Sequence, residues 1–277
     1  MRAAVLGKPV GHSLSPVLHR AAYRALGLDD WRYDAVECDA DALPGLVGGL
    51  GPEWVGLSVT MPGKVAALRT AHRVTARAEL VGAANTLVRS PEGWVADCTD
   101  VDGVLGALRG AGGLVCAERA VLLGAGGTAR AALAALAAFG VGAVTLVVRD
   151  AARAVTTVDC AGRLGLDVSV AAWDVATLQA LCARADVAVS TVPATASGPV
   201  AVAVAAAPVV LDAGYSPWPT PTGAAVTAAG GRLASGLDML LHQAFGQVEQ
   251  FTGHPPPREA MRDALREVTG GVHELPL

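Results

Sequence analysis

The sequence predicts an α/β protein made of two domains, and three observations support that prediction. Short apolar runs alternate with helical segments along most of the 277 residues, a pattern typical of parallel sheets covered by helices. A glycine-rich turn joins a strand to a helix near the middle of the chain. A separate glycine-rich stretch, residues 110–113, precedes that strand and is expected to link the two domains.

The first domain is expected to comprise residues 1–99 together with residues 237–277. Strands are predicted at 3–6, 31–37 and 55–59, a hairpin at 85–89 and 94–96, and helices at 16–26 and 40–50, in segments up to residue 81, and at 237–252 and 257–268. A helix at 99–108 is expected to lead away from this domain. The last two helices come after the strands of the second domain, so they are expected to fold back onto the first domain.

The second domain is expected at residues 100–236. Strands are predicted at 120–123, 144–148, 168–170, 187–190 and 209–212, and helices at 131–139, 151–164 and 177–183. The uncharged stretch 187–211 is interrupted by prolines and a glycine, so we interpret it as strand, loop and strand and not as a membrane span.

Composition excludes several classes of protein. The net charge of −4 and the absence of a basic run argue against nucleic-acid binding, which needs clustered Lys and Arg. The N terminus reaches glycine and proline too soon for a signal peptide. Five scattered cysteines without a C-x-x-C pair predict reduced thiols in a cytoplasmic protein, and the six histidines show no metal-ligand spacing.

The glycine-rich turn matches the dinucleotide-binding pattern G-x-G-x-x-G/A, with Gly124, Gly126 and Ala129 at its defined positions. Glycine lets a ligand approach the backbone closely, and N–H groups at the start of the next helix can hold a phosphate. In a chain with 33 glycines, a plain tight turn is the alternative. The predicted strand at 144–148 completes a βαβ unit and therefore favours a Rossmann-type, doubly wound domain.

Polar residues follow the predicted strands of the first domain. They are Ser13, Ser15, Thr60, Lys64, Asn85 and Asp100. Taken singly, Ser15 could be a helix N-cap, Lys64 a surface lysine, and Asp100 a carboxylate that complements a helix dipole. Asn85 could likewise be an ordinary turn residue. Their order along the chain is more specific than any one of them.

That order resembles the shikimate dehydrogenase family. The motifs H-S-x-S-P, V-T-x-P-x-K, G-A-x-N-T, T-D-x-x-G, G-A-G-G-T-A-R and G-L-D-M-L-L-H-Q-A occur in series between Gly7 and Gly253. The resemblance implies NADPH-dependent reduction of 3-dehydroshikimate to shikimate, a step of the shikimate pathway towards chorismate and the aromatic amino acids. It also implies that substrate and nicotinamide meet in a cleft between two α/β domains.

The resemblance implies site residues position by position. Lys64 and Asp100 match the catalytic pair. The positions that match substrate contacts are Ser13, Ser15, Thr60, Asn85, Tyr215 and Gln243. The positions that match cofactor contacts are Gly124, Ala125, Gly126, Gly127, Thr128, Ala129, Arg149, Arg153, Gly236 and Met239. No metal is implied. An ammonium can stabilise the negative charge that develops on a ketone oxygen and serve as the acid, so Asp100 is expected to orient Lys64.

The choice of cofactor depends on the residues after the predicted strand at 144–148. An arginine there suits the 2′-phosphate of NADP, whereas an acidic residue suits the ribose of NAD. Arg149 matches the arginine of the family's N-R-T/S motif, and Arg153 is expected one helical turn further on. Asp150 stands where the family usually has Thr or Ser. Its carboxylate either repels the 2′-phosphate or binds the ribose of NAD, which would favour NAD, or it is the N-cap of the next helix. The sequence favours NADP.

Two further departures from the family pattern leave the substrate open. Ser58 stands where the family usually has Asn, and Cys98 where it usually has Asn in N-T-D. A quinate or aminoshikimate dehydrogenase, using either NADP or NAD, is therefore the alternative enzyme. A ligand-sensing homologue without turnover is the other alternative, although it would not need both Lys64 and Asp100. The protein is expected to be a monomer or a homodimer.

Overall fold

The computed structural model describes all 277 residues, and the chain forms two compact units. The unit called N-terminal here holds Met1–Asp100, Leu240–Leu275 and Leu277; the unit called central holds Val101–Met239 and Pro276. The boundaries expected from the sequence, after residue 99 and before residue 237, lie close to these. None of the helices is both long and apolar enough to cross a membrane.

The secondary structure alternates throughout. The strands are β1 (Arg2–Gly7), β2 (Arg32–Glu37), β3 (Trp54–Val59), β4 (Arg73–Val74), β5 (Thr86–Ser90), β6 (Gly93–Asp97), β7 (Arg119–Leu123), β8 (Ala143–Val148), β9 (Asp167–Ala172), β10 (Val187–Ser190), β11 (Val209–Asp212) and β12 (Arg232–Ser235). The α-helices are α1 (Ser15–Ala25), α2 (Leu43–Gly48), α3 (Lys64–Thr70), α4 (Ala76–Val81), α5 (Asp100–Gly110), α6 (Gly127–Ala138), α7 (Val155–Arg163), α8 (Val175–Cys182), α9 (Ala194–Ser197), α10 (Ala201–Val204), α11 (Pro221–Ala228), α12 (Gly236–Thr252) and α13 (Arg258–Val268).

The N-terminal unit is built on a mixed sheet in the order β2-β1-β3-β5-β6-β4. β1 pairs in parallel with both β2 and β3, whereas β3–β5 and β5–β6 are antiparallel. Alanine, leucine and valine fill most of the core on this sheet, and Trp54 and Trp94 are its largest side chains. The carboxyl ends of β1 and β3 lie side by side because their register pairs Leu6 with Val59. Loops that follow these two strands therefore begin close together.

The central unit contains a fully parallel sheet in the order β12-β11-β10-β7-β8-β9. When its strands are numbered from β7, the order from the β9 edge is 3-2-1-4-5-6, which is the doubly wound Rossmann arrangement. β10 and β11 are buried along their whole length, as expected for strands covered on both faces. The strand order reverses between β7 and β10, and ligands bind outside the carboxyl ends of strands at such a point. The predicted α/β fold class is confirmed.

Three local expectations were wrong. The predicted helix at 151–164 starts as a 3₁₀ turn, Ala151–Ala154, before α7 begins. Residues between β10 and β11 form the short helices α9 and α10 where we expected a loop. β12 was missed because its sequence, RLAS, is not the continuous apolar run that made the equally short β10 and β11 recognisable.

Candidate functional site

A cluster of polar side chains gathers at strand and helix ends of the N-terminal unit. Lys64 is the first residue of α3, Asp100 the first of α5, and Asn85 directly precedes β5. Gln243 reaches the cluster from the middle of α12. The fold thus brings together four of the residues that sequence analysis selected, although they are far apart in the chain.

Lys64 and Asp100 form a close ion pair between Nζ and Oδ2. The exposed fraction of the side chain is 17% for Lys64 and 7% for Asp100, so the pair is largely removed from water while Lys64 keeps some access. A charge pair in such surroundings is screened less by solvent and salt than a surface pair. The surface alternative for Lys64 is therefore wrong.

Asn85 is the hub of the cluster and is 3% exposed. Its amide nitrogen donates to Asp100 Oδ1 at 2.9 Å and to Gln243 Oε1 at 3.1 Å. Its carbonyl oxygen Oδ1 accepts from the backbone N–H of Thr99 at 2.8 Å. Asn85 therefore fixes the position of the Asp100 carboxylate, which in turn holds the Lys64 ammonium. This is more than the turn role considered from the sequence.

The remaining predicted residues of this unit follow β1 and β3. Thr60 comes directly after β3 and its backbone N–H donates to Leu6 O at 2.8 Å. Ser13 lies in the loop before α1, and its Oγ accepts from the backbone N–H of Ser15 at 3.4 Å. Ser15 is 5% exposed and is the first residue of α1, whose N-cap is Leu14 without a side-chain cap. The N-cap interpretation of Ser15 was wrong.

Sequence analysis missed a second layer of polar residues behind the cluster. Gln247 is 1% exposed and donates from Nε2 to Thr86 Oγ1 at 3.0 Å and to Asn85 O at 3.2 Å. Ser58 is 4% exposed and donates to Gln247 Oε1 at 2.7 Å. A signal for Gln247 existed, because it follows Gln243 by four residues and so shares one face of α12. Tyr33, which donates to Ser58 Oγ, had no such signal.

Cys98, the other departure from the family pattern in this region, is a buried neutral thiol. It is 1% exposed, and burial together with the nearby charge of Asp100 raises its pKa to about 12. A thiol with such a pKa is not a nucleophile at neutral pH, because the thiolate is the reactive form. Cys98 therefore fills space beside the cluster and takes no part in its chemistry.

In the central unit, the glycine-rich turn lies between β7 and α6. Gly124 has φ of +100°, and a Cβ there would lie 2.5 Å from Thr191 Oγ1, so only glycine fits. A Cβ at Gly126 would meet nothing within 4 Å, which leaves the approach to the turn open. Gly126 is the N-cap of α6 and provides no side-chain cap, and the start of a helix is where backbone N–H groups can hold an anion.

The turn is held from behind by Thr157 on α7. The Thr157 side chain is fully buried and its hydroxyl donates to Ala125 O at 2.9 Å. The segment Gly127, Thr128 and Ala129 opens α6, and Ala129 is fully buried against the sheet. This arrangement fits the pyrophosphate of a dinucleotide, which needs exposed backbone N–H groups on a rigid turn.

Arg149 and Arg153 flank the end of β8 and are both exposed. Asp150 lies between them and its Oδ1 accepts from the backbone N–H of Ala152 at 2.9 Å, capping the 3₁₀ turn. The capping interpretation of Asp150 is thus observed. The carboxylate has a local structural partner, and the two guanidinium groups have the freedom to meet a phosphate.

Tyr215, Gly236 and Met239 also lie in the central unit. Tyr215 is half-buried after β11, and burial raises its pKa. A Cβ at Gly236 would lie 2.4 Å from Ala213 O, so the start of α12 packs directly on the backbone that leads to Tyr215. Met239 is 7% exposed on the first turn of α12.

Comparison with known proteins indicates the family in which the polar cluster of the N-terminal unit and the glycine-rich turn of the central unit occur. The family model described as the shikimate dehydrogenase substrate binding domain matches residues 5–87, and the model described as the shikimate 5'-dehydrogenase C-terminal domain matches residues 236–266. The chain is 38% identical over 278 residues to a shikimate dehydrogenase (NADP(+)) of Caulobacter vibrioides, covering 97% of this chain and 95% of that protein.

Solved structures give the same result. The Mycobacterium tuberculosis shikimate dehydrogenase is 57% identical with a TM-score of 0.90, over 96% of this chain and 99% of that one. A Thermus thermophilus shikimate 5-dehydrogenase in complex with NADP(H) and shikimate is 31% identical with a TM-score of 0.79, over 96% and 99% of the two chains. Identity at this level over nearly the full length shows that the chain belongs to the shikimate dehydrogenase family.

Proposed function

We propose that this chain catalyses the reversible, NADPH-dependent reduction of 3-dehydroshikimate to shikimate. The observation that carries the proposal is the buried Lys64–Asp100 pair, held by Asn85 and Gln243 in a chain of this family. The relatives named shikimate dehydrogenase (NADP(+)) support both the substrate and the cofactor. None of the five cysteines forms a disulfide, which suits the reducing cytoplasm that we propose as its compartment.

In this proposal Lys64 carries the chemistry at the substrate oxygen. As the ketone is reduced, negative charge develops on its oxygen, and the Lys64 ammonium stabilises that charge and delivers the proton that completes the alcohol. Asp100 orients Lys64 Nζ and accepts a hydrogen bond from a ring hydroxyl. Side-chain amides of Asn85 and Gln243 bind the other ring hydroxyls, because an amide can donate and accept at once.

Hydroxyl side chains complete the proposed substrate site. Ser13, Ser15 and Thr60 follow the adjacent ends of β1 and β3, and hydroxyl donors of this kind suit the substrate carboxylate. We also propose Tyr215 as a substrate contact, since its phenol stays protonated when burial raises its pKa and can therefore donate.

NADP(H), when bound, supplies the hydride. We propose that Gly124–Ala129 hold its pyrophosphate, that Arg149 and Arg153 hold the 2′-phosphate, and that Gly236 and Met239 line the nicotinamide site. The observations that support this are the open turn, the uncapped start of α6 and the exposed guanidinium groups. Asp150 is not proposed as a ribose ligand, because its carboxylate caps Ala152.

Arg149→Gln is expected to weaken NADP⁺ binding about tenfold and to leave NAD⁺ binding within about twofold, because only NADP⁺ carries the phosphate that a guanidinium would pair with. Titration calorimetry with each cofactor measures both dissociation constants without turnover. Asp150→Ser is the matched control: serine retains a capping oxygen, and losing the carboxylate should not weaken NADP⁺ binding. An equal loss for both cofactors in Arg149→Gln would contradict the assignment.

Thr157→Val is expected to weaken NADPH binding about three- to tenfold, because the nearly isosteric valine cannot donate to Ala125 O and the turn loses its support. The change is measured by the fluorescence of bound NADPH. Thr222→Val is the control, since Thr222 is also fully buried in the central unit and its hydroxyl has no hydrogen-bond partner. If both variants bind NADPH equally well, Thr157 does not support the turn.

The proposed function is tested by oxidation of shikimate and of quinate with NADP⁺ and NAD⁺ side by side. Turnover that is fastest with shikimate and NADP⁺ is the expected result. Preference for quinate or for NAD⁺ would instead support the alternative enzyme. If shikimate binds but none of the four combinations of substrate and cofactor gives turnover, the protein is a ligand-sensing homologue and the enzymatic proposal is refuted.

A further inference from the structure

A buried tyrosine on β2 has no place in any motif of the sequence. Tyr33 is fully buried, and its hydroxyl donates to Ser58 Oγ at 2.6 Å. Burial raises the pKa of Tyr33 well above its ordinary range, while hydrogen bonds with Ser58 and Ser15 act in the opposite direction. The phenol is therefore a permanent donor inside the N-terminal unit. A buried hydroxyl in this setting costs stability unless it is paired, so its position is specified by its partners.

From Ser58 the hydrogen bonds run towards the proposed substrate site. Ser58 Oγ donates to Gln247 Oε1 at 2.7 Å, and Gln247 Nε2 donates to Asn85 O at 3.2 Å and to Thr86 Oγ1 at 3.0 Å. Thr86 Oγ1 donates in turn to Asn85 Oδ1 at 3.0 Å. Every hydrogen bond on this route is donated towards Asn85. The orientation of the Asn85 side-chain amide therefore depends on Ser58, Gln247 and Thr86.

His19 is compatible with this direction of the network when its ring carries the proton on Nε2. Its ring stacks on Tyr33 with centroids 4.0 Å apart, and its Nε2 lies 3.3 Å from Gln247 Oε1. Burial lowers the pKa of His19 to about 3, so the ring is neutral and can donate one proton from Nε2. Gln247 Oε1 then accepts from both His19 and Ser58. Its amide nitrogen must face Asn85 and Thr86.

The Tyr33 phenol also lies close to Ser15, a proposed ligand of the substrate carboxylate. The Ser15 hydroxyl does not cap α1, whose N-cap is Leu14. One buried hydroxyl thus lies beside the Ser15 end of the site and reaches the Asn85 end through Ser58 and Gln247.

We propose that Tyr33 is a positioning residue for the substrate site, which through Ser58, Gln247 and Thr86 holds Asn85 in the arrangement that binds the ring substrate. The inference rests on the proposed function. It also explains why Ser58 is accommodated where the family usually has Asn: the shorter side chain leaves its oxygen to receive the Tyr33 hydroxyl.

Tyr33→Phe tests the inference, because it removes the hydroxyl and keeps the ring that stacks on His19. The KM for shikimate is expected to rise about three- to tenfold, the range that losing one buried hydrogen bond produces, while kcat and the dissociation constant of NADP⁺ stay within about twofold. Tyr23→Phe is the matched control. Tyr23 is 2% exposed in the same aromatic cluster, and its hydroxyl has no hydrogen-bond partner.

A double-mutant cycle separates positioning from simple loss of stability. Ser58→Ala interrupts the same chain of hydrogen bonds. The rise in KM of the double variant should therefore be smaller than the product of the rises in the two single variants. A shikimate KM in Tyr33→Phe that equals the wild-type value, in a wild-type enzyme that turns shikimate over, would overturn this inference alone. Absence of wild-type turnover and of shikimate binding would overturn the proposed function and the inference with it.

Discussion

Lys64→Met is expected to lower kcat for shikimate oxidation by about 10²–10⁴, which corresponds to about 3–5 kcal/mol of activation free energy. Methionine keeps the apolar stem of lysine but has neither the positive charge nor a proton to transfer. In the oxidation direction, the Lys64 ammonium first has to release a proton to solvent. Its neutral amine then accepts the proton of the reacting hydroxyl while the Asp100 carboxylate holds it in place. The loss should therefore appear in kcat, measured by the appearance of NADPH at saturating shikimate.

Lys8→Met is the control for this prediction, since Lys8 and Lys64 are the only lysines in the chain. Lys8 is half-exposed and pairs with Asp39 at 3.3 Å on the surface, where ion pairs contribute little. Its replacement should leave kcat within about twofold. A second measurement, calorimetric binding of shikimate to Lys64→Met, separates lost chemistry from a damaged site. If kcat in Lys64→Met stays within tenfold of wild type while shikimate binds normally, Lys64 is not the acid and base.

Local features of the sequence were sufficient for the parts of the fold and site that depend on neighbouring residues. The turn from Gly124 to Ala129 was predictable because its glycines, the strand before it and the helix after it are contiguous. Lys64 and Asp100 were selected by their motifs, and the structure joins them across 36 residues of chain. Whether these residues act as proposed is decided by the experiments above and not by the pattern.

Features that depend on packing between distant strands were not predictable. Tyr33 reaches Ser58 only because β1 places β2 and β3 on its two sides, so the contact follows from sheet order and not from any spacing in the sequence. Ser15 was a plausible N-cap, but Leu14 takes the capping position with helical dihedral angles, φ −90° and ψ 0°. Such choices are set by the tertiary environment, which overrides a local preference of about 1 kcal/mol.

A second buried ion pair supports the strand that leads to Asp100. Arg77 Nε donates to Asp97 Oδ1 at 2.6 Å, and the other oxygen of Asp97 accepts from Arg77 and, at 2.8 Å, from Gln250 on α12. Thr75 Oγ1 adds a hydrogen bond at 2.7 Å. Burial alone would raise the pKa of Asp97, but Arg77, Thr75 and the backbone N–H of Cys98 lower it to about 2. The carboxylate therefore favours the folded state whenever it is ionised.

Arg77→Met is expected to lower the free energy of unfolding at pH 7 by about 2–3 kcal/mol, because it leaves a buried carboxylate with only neutral donors. A depressed pKa contributes stability above the unfolded value of 3.8 and loses it as the pH falls towards 2. Without Arg77 the pKa of Asp97 rises, so Asp97 in the variant is protonated at a higher pH. The difference between wild type and variant should therefore be smaller by about 1 kcal/mol at pH 3 than at pH 7.

Urea unfolding at the two pH values measures both quantities, with Arg73→Met as the control. Arg73 pairs with Glu92 at 3.3 Å, but both side chains are about two-thirds exposed, at 66% and 69%. Solvent screens such a pair, and its loss should change the unfolding free energy by less than about 1 kcal/mol. If Arg77→Met behaves like Arg73→Met, the Arg77–Asp97 pair contributes nothing beyond a surface contact. If Arg77→Met lowers the unfolding free energy by the same amount at both pH values, Arg77 acts through packing of its side chain and not through the charge of Asp97.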